Sequence, residues 1–272
     1  MRYGFCRLEA DPGLRSFNRR VPEEINRVLT DLLAELLFAP TAAALSNLAS
    51  EGIVGPHVHL VGEVMQDAVL FYGKLAAQRS DILRRFDLQP GADTLCTVHR
   101  AENTGDPQRL RSIVGALSTL AREIQVVLPL HPRTLAGMRN MPDESGMIPV
   151  DLLSAIPAGL RVIEPLGYLD MMRLEASAAV IVTDSGGVQK EAYFHPVPCV
   201  TLRHETEWVE LVEAGWNRLA PPDQAPAILD AIQGGRGSKG RKLDLYGKGD
   251  AAPRIVQALK NFAAQNSEAS LP

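Results

Sequence analysis

Ala178-Ala179-Val180-Ile181-Val182-Thr183-Asp184-Ser185-Gly186-Gly187-Val188-Gln189-Lys190-Glu191-Ala192 decides how this chain folds. The apolar run is short and rich in β-branched residues, as in a strand of a parallel sheet covered on both faces. Asp184-Ser185-Gly186-Gly187 is a turn, and the residues after it open a helix. Two glycines without Cβ let an oxygen-rich ligand approach the backbone. A helix start offers unpaired N–H groups and the positive end of its dipole to an anion. Ser185 can cap that helix or donate to the same anion. Glu191 stands about a turn and a half further on, where a sugar hydroxyl can be held. Taken alone, the same four residues equally describe an ordinary capped turn.

Upstream and downstream, strands and helices alternate. Strands are predicted at 95–98, 126–130, 162–164, 180–183 and 200–202. Helices are predicted near 106–122, 169–177, 187–194, 205–214 and 222–233. This alternation predicts a doubly wound α/β domain with a parallel sheet. Ligands of such sheets lie beyond the carboxyl ends of the strands. His99, His131, Glu164 and Asp184 stand at four of those ends.

The first part of the chain is less regular. A short strand is expected at 2–9 and a loop to Ser16. Pro22-Glu23-Glu24 then opens a helix whose apolar spacing runs from Ile25 to Leu37 and ends at Phe38-Ala39-Pro40. Thr41 caps another helix to about Glu51, and Gly52 stops it. A strand is expected at 57–61, and helix in two pieces meeting at Gly73 over 63–87. A last helix is expected at 252–265.

Composition narrows the function. The 272 residues are 46% hydrophobic and 22% charged, ample for a core, and the net charge of -4 disfavours a nucleic-acid or anionic-membrane surface. No apolar run reaches the length of a membrane span, and the N-terminus shows no secretory leader. Cys6, Cys96 and Cys199 form no C-x-x-C pair, which predicts reduced thiols, no metal centre and a cytoplasmic location.

Val98-His99-Arg100-Ala101-Glu102-Asn103 gathers an imidazole, a guanidinium and a carboxylate at a strand end. The group suits a phosphate or a proton transfer. It also suits a capped loop with solvated charges. His131 stands alone after its strand, where histidines commonly serve structure. Glu23 and Glu24 are sufficiently explained as first-turn acids.

Together with Gly13-Leu14-Arg15-Ser16, Pro22-Glu23-Glu24-Ile25-Asn26-Arg27 and Glu213-Ala214-Gly215, these segments make the chain resemble the non-hydrolysing UDP-N-acetylglucosamine 2-epimerase family along nearly its whole length. The resemblance implies an α/β fold of two Rossmann-like halves, as in GT-B glycosyltransferases, the first half incomplete and the second a doubly wound parallel sheet. It implies a partial first half at 1–65, linker helices at 66–90, a UDP-binding half at 91–250, and a returning helix and tail at 251–272. The implied reaction interconverts UDP-N-acetylglucosamine and UDP-N-acetylmannosamine by losing and re-adding UDP, without cofactor or metal, in a homodimer. The implied proton carriers are Glu9 and Glu23, with His99 at the phosphate or the proton transfer. Arg15, Arg100, Glu102, His131, Met171, Ser185, Gly186, Gly187 and Glu191 are implied to bind substrate.

Three departures stand out. Asp11-Pro12 interrupts the family's Glu-Ala-Gly-Leu-Arg-Ser loop after Glu9-Ala10. The family has a further segment before this chain's start, so the resemblance implies impaired activity in the chain as given. Lys190 replaces a common acid, and Glu205-Thr206-Glu207-Trp208 differs from the usual segment. The substrate therefore stays open between a UDP-N-acetylhexosamine and a UDP-diacetamido-uronic acid. A GT-B glycosyltransferase and a non-catalytic UDP-binding remnant are the readings from other classes.

Overall fold

The computed structural model of the protein describes residues 7–17, 19, 22–139, 141, 142, 149, 150 and 156–268. Two compact units emerge, residues 1–70 with 243–272, and residues 71–242.

The first unit carries a three-stranded parallel sheet. Strand β1 (Leu8–Glu9) is followed by helix α1 (Pro22–Leu33), β2 (Leu36–Ala39), α2 (Ala42–Ser50) and β3 (Val58–Leu60), and β2 lies between β1 and β3. Strand β2 corrects the sequence expectation of helix to Leu37. Its four residues are all buried, and Leu37, Phe38 and Ala39 pair in register with Val58, His59 and Leu60. A run of four buried apolar residues satisfies helical spacing by accident. Thr41 caps α2 as expected, its hydroxyl accepting the Ala44 N–H at 3.0 Å. Helix α3 (Val64–Arg79) runs unbroken through Gly73, where two pieces were expected. The break comes at Ser80-Asp81, where the Ser80 hydroxyl donates to Asp170 at 2.5 Å and accepts the Ile82 N–H.

The second unit continues with α4 (Ile82–Arg85), β4 (Thr94–Thr97), α5 (Ala101–Thr104), α6 (Pro107–Leu120), β5 (Val126–Pro129) and α7 (Pro132–Arg139). Then come the short antiparallel pair β6 (Met141–Pro142) and β7 (Pro149–Val150), β8 (Leu160–Ile163), α8 (Tyr168–Ser177) and β9 (Val180–Thr183). The unit ends with α9 (Gly186–Phe194), β10 (Cys199–Thr201), α10 (Val209–Glu213), β11 (Asn217–Leu219) and α11 (Ala225–Gly235). Asp106 caps α6 by accepting the N–H groups of Gln108 and Arg109.

The five expected strands are all present, within two residues at either end. Strand β11 and helix α7 were not expected, since three and eight residues carry little periodicity. Helix α10 is shorter than the expected 205–214. Thr206 does not cap it; its hydroxyl donates to Gln189 at 2.7 Å and accepts the Trp208 N–H.

All six long strands of this unit run parallel in the order β11-β10-β9-β4-β5-β8. Counted along the chain, that is 6-5-4-1-2-3, the doubly wound dinucleotide-fold order. Side chains alternate between faces as the pleat requires. Cys96, Val126, Leu128, Val180 and Val182 join the core under α6 and α11, with Leu110, Ile113, Leu117, Ile228 and Ile232. Leu95, Val127, Ile181 and Cys199 join the opposite core with Ile82, Leu174 and Ala192.

Helix α12 (Ala251–Glu268) belongs to the first unit. Its Ile255, Ala258, Leu259 and Phe262 cover Leu36, Phe38 and Val61 on one face of the small sheet. Ala44 and Leu48 of α2 cover Leu37 and Ala39 on the other.

Candidate functional site

The strand order reverses between β4 and β9, so the crevice beyond their carboxyl ends is where a doubly wound sheet binds ligands. Two loops meet there. Thr97 and Thr183 are register partners with hydroxyls 2.6 Å apart. Just beyond, Asp184 is fully buried. Its carboxylate accepts the N–H of His99 with both oxygens at 3.1 Å, that of Arg100 at 3.0 Å, and the Asn103 amide at 3.1 Å. Asn103 also donates to the Leu202 carbonyl at the end of β10. One carboxylate thus stitches three strand ends together. Sequence reasoning placed Asp184 at its strand end but missed this work, because its partners are more than 80 residues away.

The His99 Nδ1 lies 3.4 Å from the Asp184 carboxylate, while the His99 side chain stays 41% exposed. The His131 ring, at the end of the neighbouring β5, is 5.8 Å away centre to centre. Its Nδ1 accepts the Arg133 N–H, and the Arg133 guanidinium donates to the His99 carbonyl. The Thr134 hydroxyl donates to the Val98 carbonyl, seating α7 on the end of β4. Arg100 precedes α5, and its buried Nη1 has no hydrogen-bond partner among the described residues. A buried guanidinium nitrogen without an acceptor suits an anion. Glu102 lies exposed on α5.

Across the reversal, Ser185 caps α9, its Oγ accepting the Val188 N–H at 3.5 Å. The Ser185 N–H donates to Thr183 Oγ1. Neither Gly186 nor Gly187 has a positive φ, and at Gly186 it is close approach rather than backbone conformation that explains glycine. At Gly186 a Cβ would fall 2.8 Å from Glu207 Oε1. Glu207 is itself ion-paired to Arg203 at 2.7 Å. The segment that departs from the family therefore backs the turn. The buried Lys190 ammonium lies 4.2 Å from the centre of the Trp208 ring, a cation–π contact. Two departures noted separately in the sequence form one packing unit.

Met171, half-buried on α8, packs against the core containing Leu95 and Ile181. A cleft of about 530 Å³ lies beyond β8, lined by Arg85, Phe86, Glu164, Pro165, Gly167 and Asp170 among others. Glu191 sits half-buried on α9 against Glu175 of α8. Burial raises the pKa of Glu191, and Lys190 opposes that rise. Burial pushes the Cys199 thiol up to about 12 and raises Cys96 as well, so both thiols stay protonated. Cys6 lies outside the described residues.

The first unit holds the remaining expected residues. Arg15, with its side chain 1% exposed, forms a bidentate pair with Glu51 at 2.7 and 2.6 Å and bonds Asp31 at 2.7 Å. Its charge is used inside the unit. Glu23 is exposed at the start of α1, whereas Glu24 is buried and accepts the N–H groups of Ser16 and Phe17. Glu9 ends β1 half-buried, and its carboxylate accepts the Asp11 N–H at 3.1 Å. Among the described residues no group of three or more His, Cys, Asp or Glu side chains is placed to hold a metal ion.

An α/β protein with a doubly wound parallel sheet, an amide-lined turn and an imidazole pair at its strand reversal belongs to the GT-B-like class of nucleotide-binding folds. The family model described as UDP-N-acetylglucosamine 2-epimerase matches residues 8–260, and the chain belongs to that family. It is 44% identical over 257 residues to the UDP-2,3-diacetamido-2,3-dideoxy-D-glucuronate 2-epimerase of Pseudomonas aeruginosa, covering 92% of this chain and 66% of the relative. It is 41% identical over 253 residues to a UDP-N-acetylglucosamine 2-epimerase homolog of Methanococcus maripaludis, covering 93% of this chain and 68% of the relative. The crystal structure of the Methanocaldococcus jannaschii UDP-GlcNAc 2-epimerase in complex with UDP-GlcNAc and UDP superposes with a TM-score of 0.81 at 36% identity, over 93% of this chain and 68% of that one. The chain thus spans about two thirds of the length of these relatives.

Proposed function

We propose that this chain binds a UDP-sugar at the β4–β9 reversal and serves the 2-epimerisation of a UDP-N-acetylhexosamine, UDP-GlcNAc to UDP-ManNAc. The observation that carries the proposal is the 6-5-4-1-2-3 strand order, with His99 and the Ser185-Gly186-Gly187 turn on either side of its reversal. In this reading the amides at the start of α9, the His99 imidazole and the Arg100 guanidinium hold the diphosphate. Glu191 accepts the ribose hydroxyls, Met171 and the cleft beyond β8 take the uracil, and Glu102 and His131 serve the same strand ends.

The C2 proton of the sugar is weakly acidic. Its removal leaves an electron pair that forms the C1–C2 double bond as the C1–O bond breaks and UDP departs with its electrons. Charge grows on the diphosphate, so donors aimed at it lower the barrier. Return delivers a proton to the other face of C2, and a UDP oxygen re-forms the bond to C1. Glu9 and Glu23 are the proposed proton carriers.

A second substrate reading is a UDP-diacetamido-uronic acid, favoured by the 44% identity to the Pseudomonas aeruginosa enzyme. The proposal extends to a cytoplasmic homodimer that engages neither nucleic acid nor membrane. The net charge of -4 supports this last point, and no helix among the described residues is long and apolar enough to cross a membrane. Light scattering on the purified chain tests the dimer.

The test of function is deuterium wash-in. The chain is incubated with each UDP-sugar in heavy water and followed by proton NMR. Exchange at C2 supports epimerisation. A sugar passed to an acceptor with C2 unexchanged supports a transferase instead, and UDP binding with no exchange supports a binding-only role.

A further inference from the structure

Glu175 is a carboxylic acid in a place where ionisation is costly. It lies on α8, is 1% exposed, and neither of its oxygens meets a hydrogen-bond donor among the described residues. Its neighbour is another acid, Glu191 of α9. A carboxyl buried this deeply beside a second, half-buried one resists ionising while its neighbour is charged, which favours one proton on the pair.

The surroundings say which member keeps it. Lys190, the neighbour of Glu191 in sequence, lowers the Glu191 pKa and offers Glu175 nothing comparable. His195, at the end of α9, holds Nε2 4.0 Å from the Glu175 carboxyl, beyond hydrogen-bond reach. Burial drives the His195 pKa down to about 4, so its ring is neutral and supplies no counter-charge. Tyr168 on α8 and Cys199 on β10 face the pair, and burial holds both protonated. Arg85 of α4 is spent on Asp170 at 2.9 Å. Burial and the Glu191 charge together raise the Glu175 pKa well above the carboxylate range.

We propose that Glu175 is a positioning residue, a neutral carboxylic acid whose O–H donates to the Glu191 carboxylate and aims it at the ribose hydroxyls of a nucleoside diphosphate. Glu191 then stays ionised, with one oxygen anchored and its other lone pairs turned outward to accept. The ligand half of this inference rests on the UDP reading above. The proton half does not.

The test compares Glu175→Gln and Glu175→Leu in the full chain, using UDP as the probe. Glutamine keeps a donor at every pH, whereas leucine keeps the volume without one. Calorimetry is expected to give Glu175→Gln a UDP affinity within about twofold of the parent, and Glu175→Leu about a tenfold loss, as for one lost charge-assisted hydrogen bond. The parent affinity falls as the solution is made alkaline and Glu175 ionises, and that of Glu175→Gln does not. Equal affinities for leucine and parent, or equal losses for glutamine and leucine, overturn the positioning role. Infrared difference spectra without ligand give the independent arm: a protonated-carboxyl stretch in the parent that vanishes in Glu175→Gln. Its absence overturns the proton assignment whatever UDP does. If the parent fails to bind UDP at millimolar concentration, the nucleotide reading fails with the ligand half, and the infrared band still decides the proton.

Discussion

The carboxylate of Asp184, past the end of β9, accepts the backbone N–H of His99, past the end of β4, with both oxygens at 3.1 Å. Replacing Asp184 by alanine leaves that N–H, the Arg100 N–H and the Asn103 amide short of a buried acceptor. The expected loss is about 3–5 kcal/mol of stability, together with UDP affinity. Asp184→Asn keeps the shape and one acceptor, and about 1–2 kcal/mol is expected there. Urea unfolding of the two variants gives the comparison.

His99→Ala is expected to behave differently, because the side chain is 41% exposed and only its backbone is tied to Asp184. Stability should change by less than about 1 kcal/mol, while UDP binding weakens by about tenfold or more for the lost phosphate donor. A variant that unfolds while the surviving folded fraction binds UDP normally would show His99 to be structural.

Gly187→Asp places a negative side chain at the start of α9, where the diphosphate is proposed to lie. Like charge in a desolvated site costs several kcal/mol, so UDP binding should drop by about a hundredfold or beyond measurement. Unchanged affinity by calorimetry removes the phosphate assignment for this turn.

Gly13→Ala probes the first unit alone. Gly13 has a φ of 76°, its N–H donates to Asp31, and a Cβ there would run into the Ala44 carbonyl oxygen. About 2–4 kcal/mol of destabilisation is expected from strain and clash. Both tryptophans, Trp208 and Trp216, lie in the second unit. The circular-dichroism transition should therefore acquire an early phase that tryptophan fluorescence does not report.

Acid should destabilise the fold through His195. Burial lowers its pKa from 6.5 to about 4. Between those values the unfolded chain binds a proton that the folded chain refuses, so stability falls as pH falls through this window. The loss reaches about 3 kcal/mol once pH is below both values. Glu175 has the opposite sign: its folded pKa is raised, so its contribution is full at acid pH and is lost as pH rises above the ordinary carboxylate range. Urea midpoints across pH are expected to flatten on the acid side in His195→Phe and on the alkaline side in Glu175→Gln.

The sequence made the strand-end chemistry legible because the relevant signals are local. The run Val180–Thr183 with its capped glycine turn and the histidine after β4 each fit within a few residues. What it hid is contact across distance. The Asp184 stitching, the Lys190–Trp208 stack and the Glu175–Glu191 pair join residues 16 or more apart, and no periodicity encodes them. Leu36–Ala39 misled for another reason. A buried central strand of four apolar residues carries no alternation, so helical spacing absorbed it.

The helix at 251–268 supplies one wall of a core whose strands lie two hundred residues earlier. A ribosome making these residues therefore leaves Leu36, Phe38 and Val61 without that wall until the 251–268 helix emerges, while the 71–242 segment can close on itself in the meantime. A stop before residue 251 would leave that face of the small sheet uncovered, and chaperone dependence should track the emergence of the 251–268 helix.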